Sequence, residues 1–278
     1  MEYRQVPFIT LSEIGCRVWI TLSGCNFKCR GCFSNARKPT GKHLTVEKLV
    51  KLIKNSSQRY YGKLPEEIII TGGEPTLDKE YLLGLISKLN FAYIILETNA
   101  YLLDKEYIKE LVEAGVKEFM VDLKALNDKK HKWYTGFSNK KILKNIKTIQ
   151  ENAKLVIKTL YIPGLVEEDE IGDIAKFIAA INPMIEYRIN DFKTRHGLSR
   201  DPTVNEMEKA YKLAKKHLKN VVISKSCRRE SKPLKKKTWI TVFPNGTLKR
   251  RSTKDYHLIE DRDSYHKRLS KTPPNKTP

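Results

Sequence analysis

The chain has 278 residues, with 53 Lys and Arg against 32 Asp and Glu, giving a formal net charge of +21 at neutral pH. That length supports one large domain with a buried core, or a domain with an appendage, and 31% charged with 40% hydrophobic residues excludes a disordered chain. No apolar run approaches the ~20 residues that span a bilayer, and the opening MEYRQVPFIT lacks the basic and apolar regions of a secretory signal, so a cytoplasmic location is expected.

Short β-branched runs alternate with amphipathic stretches along the chain. A strand is expected at residues 18–22, then a helix at 45–54 with Thr45 as N-cap and Val46, Leu49, Val50 and Ile53 on one face. The alternation continues as strand 67–71, helix 79–89, strand 92–97, helix 105–114 and strand 118–123. Asp78 and Asp104 are placed to cap the second and third helices, and Gly115 to stop the third. Helix 140–150, strand 155–161, helix 168–181 and strand 185–189 complete the series. Six strand–helix units in succession imply parallel strands with right-handed crossovers. Six fall short of the eight that close a full barrel, so the fold class is α/β with a partial, open barrel over residues 1–195.

From residue 196 to 278 the pattern changes to a basic α+β extension. It offers a helix at 203–218, a strand at 221–223 and a hairpin in TWITVFPNGTLKRRS turning at Pro244, Asn245 and Gly246. The last eight residues, KTPPNKTP, read as a frayed tail. From residue 221 onward 16 Lys and Arg face 5 Asp and Glu, so about a fifth of the chain holds half of the charge. The densest run is Lys225, Arg228, Arg229, Lys232, Lys235, Lys236, Lys237, Lys249, Arg250 and Arg251. It is either a solvated lysine-rich surface or a polyanion site, with RNA the partner to consider.

Three of the five cysteines fall in SGCNFKCRGC, where Cys25, Cys29 and Cys32 take Cys-x3-Cys-x2-Cys spacing just after the first expected strand. An odd cysteine count with such clustering points to a metal site rather than a disulfide framework. Three thiolates in one loop can hold three corners of a [4Fe–4S] cluster and leave the fourth iron open. The alternatives are unligated core cysteines or a zinc knuckle. Zinc would need a fourth ligand, for which His43 is closest in sequence, and it prefers paired Cys-x2-Cys units. Cys16 is expected to be a small core residue, and Cys227 has no assignable role.

At this point the sequence resembles the radical S-adenosylmethionine (radical SAM) enzymes, and among them the glycyl-radical-enzyme activases typified by pyruvate formate-lyase activating enzyme. The likeness rests on the cysteine loop, on IIITGGEP (residues 68–75), LETNAYL, FMVDLKALNDKKHKWYTGFSNKKIL and IKTLYIPG, in that order, and spans roughly residues 9 to 195. It implies that Cys25, Cys29 and Cys32 ligate a [4Fe–4S] cluster. Gly72, Gly73 and Glu74 are implied to hold the methionine amino end of S-adenosylmethionine. Glu97, Thr98, the Met120 carbonyl and Asp122 are implied to build a monovalent-cation site, and Lys124 and Lys158 to be basic catalytic residues near the reacting centre. On surface grounds alone, Asp122 with Lys124 could be a strand-end ion pair, and Lys158 a snorkelling lysine.

The implied activity is reductive cleavage of S-adenosylmethionine to a 5′-deoxyadenosyl radical that abstracts hydrogen. The partners would be a glycyl-radical enzyme and a flavodoxin- or ferredoxin-type electron donor. Three positions depart from the pattern. Gly31 stands where an aromatic residue is usual, Glu97 replaces an aspartate, and Phe192 stands where a histidine is expected. The alternatives are an RNA- or nucleotide-modifying radical enzyme gripping phosphates through the basic extension, and a non-catalytic metal-bound scaffold.

Overall fold

The computed structural model describes residues 2–12, 15–32, 34–193, 197–224 and 238–252. In chain order the elements are β1 (Tyr3–Val6), β2 (Ile9–Ser12), β3 (Arg17–Leu22), β4 (Lys42–Thr45), α1 (Val46–Tyr61), β5 (Glu67–Gly72), α2 (Lys79–Lys88), β6 (Tyr93–Thr98), α3 (Lys105–Ala114) and β7 (Val116–Asp122). There follow α4 (Asp128–Thr135), α5 (Lys140–Asn152), β8 (Lys154–Tyr161), α6 (Glu168–Ile181), β9 (Glu186–Asp191), α7 (Val204–Lys215), β10 (Val221–Ile223), β11 (Thr238–Val242) and β12 (Leu248–Ser252).

Ten strands form one sheet in the order β10-β9-β8-β7-β6-β5-β3-β2-β11-β12. From β3 to β10 every neighbouring pair is parallel and follows chain order. A sheet wound in one direction, with no reversal of strand order, is the signature of a barrel rather than of a doubly wound sheet. The burial pattern agrees. Ile68, Ile70, Ile94, Leu96, Phe119, Val121, Leu155 and Ile157 belong to the main core with the helices, whereas Ile69, Ile95, Met120 and Val156 form a separate apolar cluster with Trp19. Alternate residues of a strand point to opposite faces, so one face packs against the flanking helices and the other carries a small apolar row. Among the described residues the two ends of the sheet do not pair with each other, and the barrel is partial and open.

Local signals explain the helices. Thr45 accepts a hydrogen bond from the Lys48 amide and starts α1, Asp78 caps α2, Asp104 caps α3, and Gly115 closes α3. The first helix runs to Tyr61, past the expected end at residue 54, until Gly62 ends it with φ +73°. Four elements were not legible as strands or helices: β1, β2, β4 and α4. β1 pairs antiparallel with β4 as a ribbon of its own, and β2 joins β3 antiparallel.

Both edges of the sheet are built from residues beyond 195. β10 adds parallel to β9, and the β11–β12 hairpin pairs antiparallel with β2. Lys249, Arg250 and Arg251 lie in β12. Cys227, the basic residues from Lys225 to Lys237 and the tail lie outside the described residues. Cys16 is corrected: it is partly exposed on a turn with φ +42°, not a core residue. Among the described residues no helix is long and apolar enough to cross a membrane.

Candidate functional site

Strand parity places the site. Glu97, Asp122 and Lys158 lie two residues beyond Ile95, Met120 and Val156, so they project from the same face, at the C-terminal edge just past the apolar row. Lys158 pairs with Glu97 and lies 4.0 Å from Asp122 Oδ1, while Lys124 reaches Asp122 Oδ2 at 3.0 Å. Burial alone would push the Asp122 carboxyl up, but Lys124 and Lys158 outweigh it and hold the group below its usual range. Lys124 is held above the usual ammonium range: burial opposes the charge, and Asp122 and Cys29 more than offset it. Burial likewise opposes the Lys158 charge, and Glu97 and Asp122 raise it. These are recessed charges, with the Lys124 and Lys158 side chains 16% and 17% exposed, rather than surface or snorkelling ones.

The cysteine loop follows β3 and is pinned on three sides. On the first, Gly73 N–H donates to the Leu22 carbonyl at 2.8 Å and Glu74 N–H to the Gly24 carbonyl at 2.7 Å. A Cβ on Gly72 would lie 2.1 Å from the Leu22 carbonyl oxygen, and one on Gly73 would lie 1.9 Å from that of Gly24. The glycine pair therefore lets the cysteine loop dock on the end of β5.

On the second side, Arg4 from β1 donates to the carbonyls of Ser23 (2.7 Å), Pro75 (3.3 Å) and Glu74 (3.4 Å). On the third, the Lys28 and Arg30 amides donate to the Thr135 and Tyr134 carbonyls at the C-terminal end of α4, at 3.1 and 2.9 Å. Arg30 Nε donates to the Trp133 carbonyl at 3.0 Å, and its guanidinium lies 4.7 Å from the Trp133 ring centre. Phe27 stacks on Phe137 and meets Tyr101 and His131 edge-on.

Glu74 is 1% exposed. Its Oε1 accepts from the Thr76 amide (3.1 Å), the Thr76 hydroxyl (2.6 Å) and the Thr98 hydroxyl (2.6 Å), and its Oε2 from the Asn99 amide (2.8 Å). The carboxylate ties the end of β5 to the end of β6. Asn99 reaches on to Asn26 within the cysteine loop, donating from Nδ2 to Oδ1 at 2.8 Å, and Asn26 Nδ2 is buried without a partner.

The three thiols are free and sense one another. Burial pushes the Cys25 thiol up to about 12, with Glu74 and the other two cysteines adding to the effect. Burial also pushes Cys29 up to about 11, against Lys124, the largest opposing influence. Burial thus favours the protonated form of Cys25 and Cys29, and metal binding at a thiol displaces its proton.

Sequence reasoning missed Arg4, Asn26 and Arg37, whose guanidinium donates to the Cys29 carbonyl at 3.0 Å. Asn26 stands inside the cysteine motif but not at a ligand position, while Arg4 and Arg37 stand outside it, and Arg4 and Asn26 meet partners that only the fold brings near. Gly31 has φ +68°, a conformation that suits glycine and disfavours the aromatic residue expected there. Phe192 is buried in the main core.

Comparison with known proteins shows the family. The family model "Radical SAM superfamily" matches residues 19–178, more than half of the chain. The chain is a member of the radical SAM superfamily. A provisionally named glycyl-radical enzyme activating enzyme of Methanocaldococcus jannaschii is 36% identical over 241 residues, covering 83% of this chain and 88% of that protein. The 4-hydroxyphenylacetate decarboxylase activating enzyme of Clostridioides difficile is 30% identical over 182 residues, covering 63% of this chain and 56% of that protein. Among solved structures, SuiB of Streptococcus suis aligns with a TM-score of 0.60 at 16% identity, over 72% of this chain and 46% of that one. A domain of pyruvate-formate lyase-activating enzyme from Bacteroides vulgatus gives 0.51 at 21% identity, over 56% of this chain and 97% of that one. At these identities the structural matches show the shared fold. The chain spans about half the length of the 4-hydroxyphenylacetate decarboxylase activating enzyme and of SuiB.

The radical SAM cofactors can be tested against the donor set. Three soft thiols in one loop, two of them felt electrostatically by the third, beside an orphaned buried amide, are a donor set that fits an iron–sulfur cluster with an open corner. A single zinc ion fits less well. It would need a fourth ligand, and His43, the nearest histidine in sequence, packs against the Tyr3 ring in the β1–β4 ribbon instead.

Proposed function

We propose that this radical SAM enzyme is an activase that installs a glycyl radical on a partner enzyme. The chemistry is supported by one arrangement: a three-cysteine loop pinned to the C-terminal edge of parallel strands, beside a recessed set of charges. The activase role is supported by the 36% identical relative, whose likeness extends over 83% of the chain. Cys25, Cys29 and Cys32 would hold a [4Fe–4S] cluster, which together with S-adenosylmethionine would supply reductive cleavage of the sulfonium and hydrogen abstraction from the partner.

The chain's own residues bind, orient and screen. Cys25, Cys29 and Cys32 must release their protons to bind iron, and the Lys124 ammonium favours that at Cys29. Gly72 and Gly73 bring the end of β5 against the loop, so main-chain groups there stand beside whatever the loop holds. Asn26 Nδ2 is a buried donor available to the same ligand. Glu74 fixes the strand ends on which these groups sit, which is an orientation effect. The electron would come from a flavodoxin- or ferredoxin-type donor in the cytoplasm.

Two measurements test this. Anaerobic reconstitution with dithionite and S-adenosylmethionine should yield 5′-deoxyadenosine, and none from an intact cluster would end the radical SAM chemistry. Adding candidate glycyl-radical enzymes from the source cell should produce a glycyl signal by electron paramagnetic resonance. A silent spectrum with every candidate would end the activase role alone.

A further inference from the structure

We infer that Lys158 is a resident cation, whose ammonium stands where the resemblance calls for a bound monovalent ion, so that the site works without sodium or potassium. The implied ligands were Glu97, Thr98, the Met120 carbonyl and Asp122. The structure commits three of them elsewhere. Glu97 is taken by Lys158. Asp122 is taken by Lys124 at 3.0 Å, with Lys158 at 4.0 Å. Thr98 points to the opposite, helix-bearing face, where its hydroxyl donates to Glu74 and accepts from the Ala100 amide at 2.9 Å. Among the described residues no three His, Cys, Asp or Glu side chains are grouped around one ion position.

Charge and reach both support the exchange. Two carboxylates face two ammonium groups, so the cluster is neutral without an added ion. An alkali cation entering between Glu97 and Asp122 would have to displace a tethered ammonium and sit near a second one. Lys158 lies on β8, and Glu97 on β6, with β7 between them. Two strand spacings amount to ~10 Å, which one short side chain cannot bridge. The extra methylene of Glu97, where an aspartate is usual, together with the four-carbon stem of Lys158, closes that gap. The glutamate and the lysine thus explain each other. Asp122 and Lys158 are register partners on adjacent strands, which places the ammonium between both acids.

What a cation does at this position rests on the radical SAM function proposed above, but one arm of the test does not. The full chain, Lys158→Met and Lys158→Arg would be compared in choline, sodium and potassium chloride at equal ionic strength, so that general screening cancels. The first readout is the unfolding midpoint of the metal-free protein. The second is S-adenosylmethionine affinity after reconstitution. The wild type and Lys158→Arg should be indifferent to the salt. Lys158→Met should gain a higher midpoint in sodium or potassium than in choline, and an affinity gain of about tenfold.

A wild-type affinity that rises about tenfold when potassium replaces choline would overturn the inference. So would a folded Lys158→Met protein indifferent to salt in both readouts. If Lys158→Met does not fold, the wild type and Lys158→Arg still decide, because either one responding to sodium or potassium overturns the inference and both staying indifferent supports it. If no variant binds or cleaves S-adenosylmethionine in any salt, the proposed function fails, while the metal-free midpoints still judge Lys158.

Discussion

Glu74 accepts four hydrogen bonds through two oxygens while almost wholly buried. Burial favours its protonated form and the four donors favour the carboxylate, with burial the larger influence. Replacing it with glutamine tests the knot. An amide has one acceptor oxygen, so its NH2 would face either the Asn99 amide or the threonine donors. Glu74→Gln should lower unfolding free energy by about 2 kcal/mol, the cost of a buried group left mismatched, and should reduce iron retained after reconstitution. Unchanged denaturant midpoint and iron content would mean that the knot carries no strain-bearing role. The motif GGEP was visible in the sequence, but its use was not. The glycines face the cysteine loop and the glutamate faces Thr98, 24 residues away, and neither distance is encoded in local spacing.

The parallel strands were legible because each is a short apolar run between amphipathic helices, and the helix caps stood at the expected positions. β1, β2 and β4 were not, since four residues of antiparallel strand leave too short an alternation to read. The sequence DKKHKWYT of α4 has no apolar period, because what it buries is His131, Tyr134 and Thr135. Yet this helix holds the cysteine loop through the Thr135 and Tyr134 carbonyls. Its start depends on Asn127, whose Oδ1 accepts from the Lys129 and Lys130 amides at 3.0 and 3.2 Å. Asn127→Ala should cost about 1 kcal/mol and, in protein reconstituted with iron and sulfide, hasten loss of visible absorbance in air. Bleaching at the wild-type rate would show that α4 does not secure the loop.

At the scale of the molecule, residues near the two ends of the chain meet in one sheet. Ile9 to Ser12 of β2 pair with Val242 to Trp239 of β11, burying Val242 and most of Ile240. Without the hairpin β2 would be an open edge, and open edges template association. A chain ending at Ser224 should therefore form larger species by light scattering and unfold at a lower temperature. A monomeric truncated chain with an unchanged midpoint would make the hairpin an independent addition. At the other edge β10 is only three residues long, a length that offers little to a passing strand.

The clasp between Arg30 and Trp133 also has an optical consequence. Trp133 is one of three tryptophans and is 50% exposed, and its ring lies under a guanidinium from between Cys29 and Cys32. Iron–sulfur centres absorb where indole emits. With Trp19 and Trp239 replaced by phenylalanine, the fluorescence of Trp133 should dim as iron and sulfide enter the loop and brighten as oxygen removes them. The protein would then report its own loading in real time, before any substrate is known.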